Sequence, residues 1–450
     1  MKLKSLVSVL AVAGLVAPGI ASATNGYFSH GYGMKAKGRG GVSTAYADDA
    51  MGGASNPAKM AFVGDRLDIG VDWFSPVRSS KRTGASDFGM GAQFNGTMDS
   101  DSENFFIPEF GYNKMLSSNL ALGVTVYGNG GMNTDYQPQK GQYTCVHPTF
   151  GLVPADNLLC GQGKLGVNLE QLVIAPTVAY KVNPNHSIGV SPLFGYQRFS
   201  ADGLQAFGVI SSNPNNLTNK GHDSASGWGV RVGWMGKLTN QLTVGAAYSS
   251  KIDMGSFDEY KGLFAEQGDF DIPANYNIGI AFQATPALNI GLDYQRIAYS
   301  DVKAVGNSSK VPGCFPGFPF GPGTGSACLG GSNGIGFGWQ DMDVWKLAVE
   351  YKYSDKLTLR AGYNHGESPI RPEDVTFNIL APGVVEDHVT LGFTYGLSPA
   401  SELTVAYMHA FEKSVTGPSN NPYFTGGITN GSEEIKMYQN SLGVAYSMKF

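Results

Sequence analysis

Charge is scarce in this chain. Only 15% of its 450 residues are Asp, Glu, Lys or Arg, the net charge is −5, and no basic tract occurs. Such a chain offers nothing that would track a phosphate backbone, so no nucleic-acid partner is expected. Long apolar runs are also missing. After the N-terminal segment no stretch of about 18 apolar residues exists, which excludes a membrane-spanning helix. Histidine is sparse and scattered, at His30, His147, His186, His222, His365, His388 and His409. No serine sits in a nucleophile elbow beside such a base. The stretch Gly321-Pro322-Gly323-Thr324-Gly325 lacks the lysine of a phosphate loop, and no helix follows it. An enzyme is therefore not expected, nor a cofactor or a metal.

Cysteine is rare, and its placement is informative. Cys145 and Cys160 fall in one long connection, Cys314 and Cys328 in another. The spacings are too wide, and too poor in histidine, for a zinc site. In an exported chain the expectation is two local disulfides, Cys145–Cys160 and Cys314–Cys328. Export is indicated at the start. Lys2 and Lys4 precede an apolar stretch from Leu6 to Val16, and Ala21-Ser22-Ala23 reads as a cleavage site. Residues 1–23 are thus a secretory signal, and the mature chain begins at Thr24.

What the chain has in abundance is glycine and aromatics, with 62 Gly, 22 Tyr and 25 Phe. Six short polar turns divide it into hairpins: Lys114–Asn119, Lys181–His186, Lys237–Gln241, Ala284–Ala287, Tyr353–Lys356 and Gly396–Ser401. The other connections are much longer. Alternating short and long connections between dyad-patterned runs mark an up-and-down barrel in the bacterial outer membrane. A membrane protein without an apolar helix must cross by strands. Fourteen strand cores can be read, from Leu67–Val77 to Met437–Phe450. Trp345, Leu347, Val349, Tyr351 and Tyr353 share one face of their strand; Lys346, Ala348, Glu350 and Lys352 share the other. The apolar face meets lipid. The second face is mostly small residues with a few charges, which argues against a soluble β-sandwich and for a filled lumen. The short turns face the periplasm. Seven long connections, 78–103, 129–168, 200–226, 250–274, 300–342, 366–386 and 412–436, face outward.

Residues 24–66 precede the barrel of residues 67–450 and do not alternate. Small residues and Asn-Pro turn chemistry suggest a plug folded inside the lumen. Gly31-Tyr32-Gly33-Met34-Lys35-Ala36, then Ala47-Asp48-Asp49-Ala50, then Asn56-Pro57-Ala58 resemble, in that order, the hatch of FadL-type outer-membrane transporters. Arg360–Ile370, Phe377–Val384 and Leu391–Tyr395 are similar to the C-terminal half of the same family. The resemblance implies a 14-stranded antiparallel transmembrane β-barrel with an N-terminal hatch. It implies a monomer that takes up long-chain fatty acids or related hydrocarbons through outer-membrane lipid and lipopolysaccharide. Capture by outer loops, an apolar pocket, hatch rearrangement and a sideways exit near a kinked third strand would follow. The family's Asn-Pro-Ala carries over onto Asn56, Pro57 and Ala58, placed near that kink; Gly123 and Gly128 could permit the bend.

Candidate substrate contacts follow from chemistry. Phe315, Phe318 and Phe320, on a proline-stiffened loop, make a greasy capture surface, with Leu152, Val153, Leu158 and Leu159 as counterpart. Tyr27 and Phe28 could reach the pocket. Alternation points Asp68, Asp72, Glu109, Arg231, Asp293, Lys346, Glu350, Lys352, Arg360 and His388 inward, chiefly to tie wall to plug. If the solute is a fatty acid, Arg231, Lys346 or Arg360 would meet its carboxylate. A general porin for polar solutes and a surface-binding protein or adhesin are the alternatives.

Overall fold

The computed structural model describes residues 24–84, 95–147, 150–310, 313–317, 321–419 and 431–450. The expected signal sequence and the loop residues Phe318 and Phe320 lie outside the described residues. The wall strands are β1 Arg66–Thr83, β2 Phe105–Met115, β3 Leu120–Tyr136, β4 Leu165–Asn183, β5 His186–Asp202, β6 Asp223–Lys237 and β7 Leu242–Ser249. They continue as β8 Asn275–Thr285, β9 Leu288–Ile297, β10 Met342–Lys352, β11 Leu357–Gly366, β12 Asp387–Ser398, β13 Ser401–Pro418 and β14 Ser432–Lys449. Each pairs antiparallel with the next. β14 closes on β1 with an unbroken register from Arg66↔Lys449 to Thr83↔Ser432. Two short pieces, Gly96–Asp99 and Asp253–Met254, extend the sheet on β1 and β6. All six short turns fall between paired strands at one end.

The outward face is the apolar one. Trp345, Leu347, Val349 and Tyr351 are exposed, as are Leu442, Val444, Tyr446 and Phe450. Their inward neighbours Lys346 and Ala348 are buried. With no water in the lipid to solvate a strand edge, closure is the arrangement that satisfies every ladder group. Val349→Arg places a charge on the lipid face of β10. It is expected to cost roughly 2–4 kcal/mol, against about 0–1 kcal/mol for Tyr353→Arg at the interface, measured by denaturant unfolding in vesicles.

The rim is uneven. β1, β4, β13 and β14 run 18, 19, 18 and 18 residues. β7 to β12 run only 8 to 12. A strand needs about 9–11 residues to cross, so the long ones stand above the membrane. The strand core read as Leu67–Val77 is therefore too short. The cause is visible in β1: beyond Val77 its outer face turns polar, at Ser79 and Lys81, while Arg78, Ser80 and Arg82 stay buried. Apolar alternation stops where lipid stops, but pairing continues.

Candidate functional site

Residues 24–65 occupy the lumen. Their anchors are charged and come from many strands. Lys37 Nζ meets Asp72 on β1 at 2.5 Å, and Lys35 Nζ meets Glu402 on β13 at 2.6 Å. Arg39 is fully buried; it pairs with Asp48 at 2.8 Å and Glu350 on β10 at 3.1 Å, and lies 3.9 Å from the Tyr46 ring centre. Asp293 on β9 accepts from Ser43 N, Thr44 N and Thr44 Oγ1 at 2.8 to 2.9 Å. Glu109 on β2 accepts from Gly33 N and Met34 N. The alternation of the wall is thus read out as a set of sockets for one segment. Lys352 is not among them. It sits at the strand end, exposed, and pairs with Asp355 in the turn.

Asn56 caps the short helix Pro57–Phe62. Its Oδ1 accepts from Ala58 N, and its Nδ2 donates to Thr44 O and Trp234 O at 2.9 Å. Ser187 Oγ on β5 donates to Ala58 O. Asn56, Pro57 and Ala58 therefore bind the hatch to β5 and β6.

The kink lies elsewhere, in β3. Its register with β4 shifts between Gly128 and Gly130, which makes Asn129 the extra residue of a bulge. On its other side β3 pairs with β2 only from Met115↔Ala121 to Glu109↔Tyr127. Above that point Phe105–Pro108 and Gly128–Thr134 have no ladder between them. The hatch tip fills the place. Phe28 forms an antiparallel bridge with Gly130, Ser29 N donates to Asn129 O at 3.3 Å, and Gly131 N donates to Tyr27 O at 3.1 Å. The tip is thus the hydrogen-bonding partner that β2 does not supply. On the lumen side the unpaired stretch is apolar, with Phe74, Phe105, Ile107 and Met132 buried in one cluster.

Four outer connections converge above the tip. Tyr27 packs on Tyr299, Trp339 and Phe270 at ring-centre distances of 5.1, 5.7 and 6.1 Å. Tyr299 Oη donates to Asn25 O and accepts from Tyr27 N at 3.1 Å and Phe28 N at 3.3 Å. Burial raises its pKa well above that of an ordinary tyrosine, so it stays a neutral hydroxyl. Trp339 Nε1 donates to Asn378 Oδ1 at 2.6 Å, and Phe377 lies between Phe337 and Phe207. In the connection above, burial and the neighbouring Asp271 raise Asp269 to about 6. A cavity of about 20 Å³ lies between Tyr27, Trp339, Pro382, Met132 and Arg78. That volume suits about one water, so in this conformation the tip and its lid are closed.

The two cysteine pairs are bonded as disulfides, with Cα–Cα distances of 5.9 Å for Cys145–Cys160 and 4.6 Å for Cys314–Cys328. A groove of about 380 Å³ runs between the Cys145–Cys160 loop and the connection holding Val209 and Pro214, lined also by Phe150, Val153, Pro154 and, from the other disulfide loop, Gly321. Phe315 and Leu152 are exposed at the same end of the molecule, whereas Leu158 and Leu159 are wholly buried and serve packing. The three lumen cations separate. Arg360 pairs with Glu350 at 2.7 Å. Arg231 donates to Gly53 O and Tyr127 Oη, and Lys346, across the ladder from Asp293, to His30 O and Gln295 Oε1; neither forms an ion pair among the described residues. Tyr27 and Phe28 lie at the kink and the cavity. Sequence reasoning missed Tyr299, Trp339, Asn129 and Arg78. Tyr299 reads as one more girdle aromatic, and Arg78 as the first residue of a loop.

Residues 155–450 match the family model described as outer membrane protein transport protein (OMPP1/FadL/TodX). None of the curated proteins matches in sequence. Among solved structures, the toluene transporter TodX of P. putida is similar at 18% identity, covering 94% of this chain and 99% of its own, with a TM-score of 0.66. A FadL homologue of Pseudomonas aeruginosa is similar at 16% identity, covering 96% and 100%, with a TM-score of 0.63. The toluene transporter TbuX of Ralstonia pickettii is similar at 17%, covering 94% and 99%, with a TM-score of 0.60. At these identities the likeness is one of fold. Fourteen strands around an occupied lumen, with the family match across most of the wall, identify this chain as a member of the OMPP1/FadL/TodX family of transport proteins of the bacterial outer membrane.

Proposed function

We propose that the chain admits hydrophobic small molecules, long-chain fatty acids or related hydrocarbons, and releases them sideways between β2 and β3. The observation that carries this reading is the hatch tip standing in for β2 beside β3. A wall built this way has one place where withdrawal of a few residues opens a route. The groove beside the Cys145–Cys160 loop serves for capture, and the buried aromatic cluster around Tyr27 leads to the exit. Each methylene brought out of water is worth about 0.8 kcal/mol, so an apolar path gives affinity that an aqueous pore would not. The exit lies high in the wall. Phe74 on β1 stands opposite Phe105. From Arg66 to Phe74 a strand tilted by ~40° climbs roughly 20 Å, into the outer half of the apolar band.

Deleting Asn129 removes the bulge and lets β3 continue its ladder with β2. Uptake of a labelled long-chain fatty acid and of toluene is expected to fall roughly tenfold, an increase of about 1.4 kcal/mol in the exit barrier. The heat-modifiable mobility of the folded barrel should stay as before. Undiminished uptake in a folded deletion protein would refute the sideways exit. A large, stable ionic conductance of the unaltered protein would favour the general porin instead.

A further inference from the structure

We propose that Arg78 is the residue that selects for a carboxylate at the exit, and that it does so by releasing the two edges of the unpaired stretch. This inference rests on the sideways exit proposed above and names its solute class. Arg78 is buried on the inner face of β1 and lines the cavity beside Tyr27 and Trp339. Its two terminal nitrogens reach in opposite directions. Nη1 donates to the carbonyl of Asn133 on β3, and Nη2 to the carbonyl of Ser102, just ahead of β2. One guanidinium therefore joins the two edges just below the place where the Ser100–Tyr136 bridge and the Asp101 N–Asp135 O bond bring them together again. Its Nε has no partner, and no acidic side chain pairs with it among the described residues. The contrast with Arg82 is direct. Two repeats of the dyad pattern further up, Arg82 is paired with the fully buried Glu433.

A buried cation whose hydrogen bonds go only to neutral carbonyls, with the Phe105 ring centre 5.9 Å away and Glu103 acting on it without an ion pair, is under-compensated, because charge-assisted bonds to a carboxylate are about twice as strong as neutral ones. A carboxylate arriving in the cavity would take both terminal nitrogens in fork geometry. The bonds to Asn133 and Ser102 would then be given up together. Binding of the head group and loosening of the exit become one event. A neutral hydrocarbon has nothing to offer the guanidinium and must leave with the edges still tied. Arg231 shares the neutral acceptors and the unpartnered Nε, but it ties Gly53 O to the wall as Lys346 ties His30 O, and neither lines the cavity beside Tyr27 and Trp339.

The test compares solutes that share a tail. A strain lacking its own hydrophobic-solute channel would carry the unaltered protein, Arg78→Met or Arg78→Lys. Uptake of a labelled C18 fatty acid, its matching alcohol and toluene is then measured. Arg78→Met is expected to lower fatty-acid uptake roughly tenfold while the alcohol and toluene enter as fast as before or faster. Arg78→Lys should restore part of the preference. An equal fall for all three solutes, or an unchanged fatty-acid preference, would overturn the proposal. A second measurement needs no variant. In the unaltered protein the fatty acid, but not the alcohol, should speed hydrogen exchange at the Ser29 and Gly131 amides; equal exchange with both would also overturn it. If the unaltered protein takes up hydrocarbon and no fatty acid, only this inference fails. If it takes up none of the three, the proposed function itself fails.

Discussion

Tyr299→Phe is expected to free the hatch tip while leaving the barrel and the rest of the hatch in place. The hydroxyl is the partner of Tyr27 N and supports Phe28 N and Asn25 O, all in a buried site. Losing it strands a buried backbone donor, which costs about 1–3 kcal/mol. That cost falls on the closed state alone, because the withdrawn tip finds water. The open population should therefore rise roughly 5- to 150-fold, at about 1.4 kcal/mol per tenfold. Hydrogen exchange at Ser29 and Gly131 should accelerate by the same factor, with Gly40 and Ala50 unaffected, since their bonds go to Thr390 and Asp68. Hydrophobic-solute uptake should rise with it. Unchanged exchange at the tip would show that the aromatic packing of Tyr27, and not this hydroxyl, holds it closed.

Arg39→Met is expected to act at the other end of the scale, on the body of the hatch. The guanidinium is fully buried between Asp48 and Glu350. Glu350 keeps Arg360 when Arg39 is removed, but the Asp48 carboxylate loses its only ion-pair partner among the described residues. Breaking one side of a buried pair costs roughly 3–5 kcal/mol, far more than the intact pair contributes. The melting temperature should drop, and ion conductance should appear as the body loosens. Adding Asp48→Asn should recover part of the loss, since the two sites share one contact and couple by about 0.5–3 kcal/mol. A melting temperature equal to that of the unaltered protein would show that the hatch contributes nothing to stability.

The wall was legible in the sequence because lipid imposes a period of two on every strand it touches. Trp345 to Tyr353 and Leu442 to Phe450 show it without ambiguity, and the six turns mark one end. The occupied lumen was legible from the charges that alternation turns inward, such as Asp72, Asp293 and Glu350. The sockets they form were not, because each joins residues far apart in the chain, from 35 positions for Lys37 and Asp72 to 311 for Arg39 and Glu350. The upper parts of β1 and β3 escaped notice for a related reason. Above the membrane nothing forces the outer face to be apolar, so Arg78 looked like loop. The bulge at Asn129 leaves no local signature in a chain with 62 glycines. The register shift against β4 reveals it, together with the hatch tip that bonds to Asn129 and Gly130 where β2 does not.

Those glycines bear on how far the hatch can travel. A side chain at Gly362 would come within 2.1 Å of Gly40 N, and one at Gly245 within 2.2 Å of Thr44 O. The inner surface is therefore cast to the backbone of the hatch body, as a mould is to its casting. Ejecting the whole casting would flood a bare strip of main chain and part every socket at once. The tip is moulded too, Gly130 lying so close to it that a side chain there would come within 1.6 Å of Tyr27 O, but it is held by a few hydrogen bonds and stacked rings without the charged sockets of the body. The mechanical picture is of a fixed stator, residues 33 to 62, with a short hinged pawl, residues 24 to 29, at its edge. In the sideways release proposed above, a solute would pass by lifting the pawl.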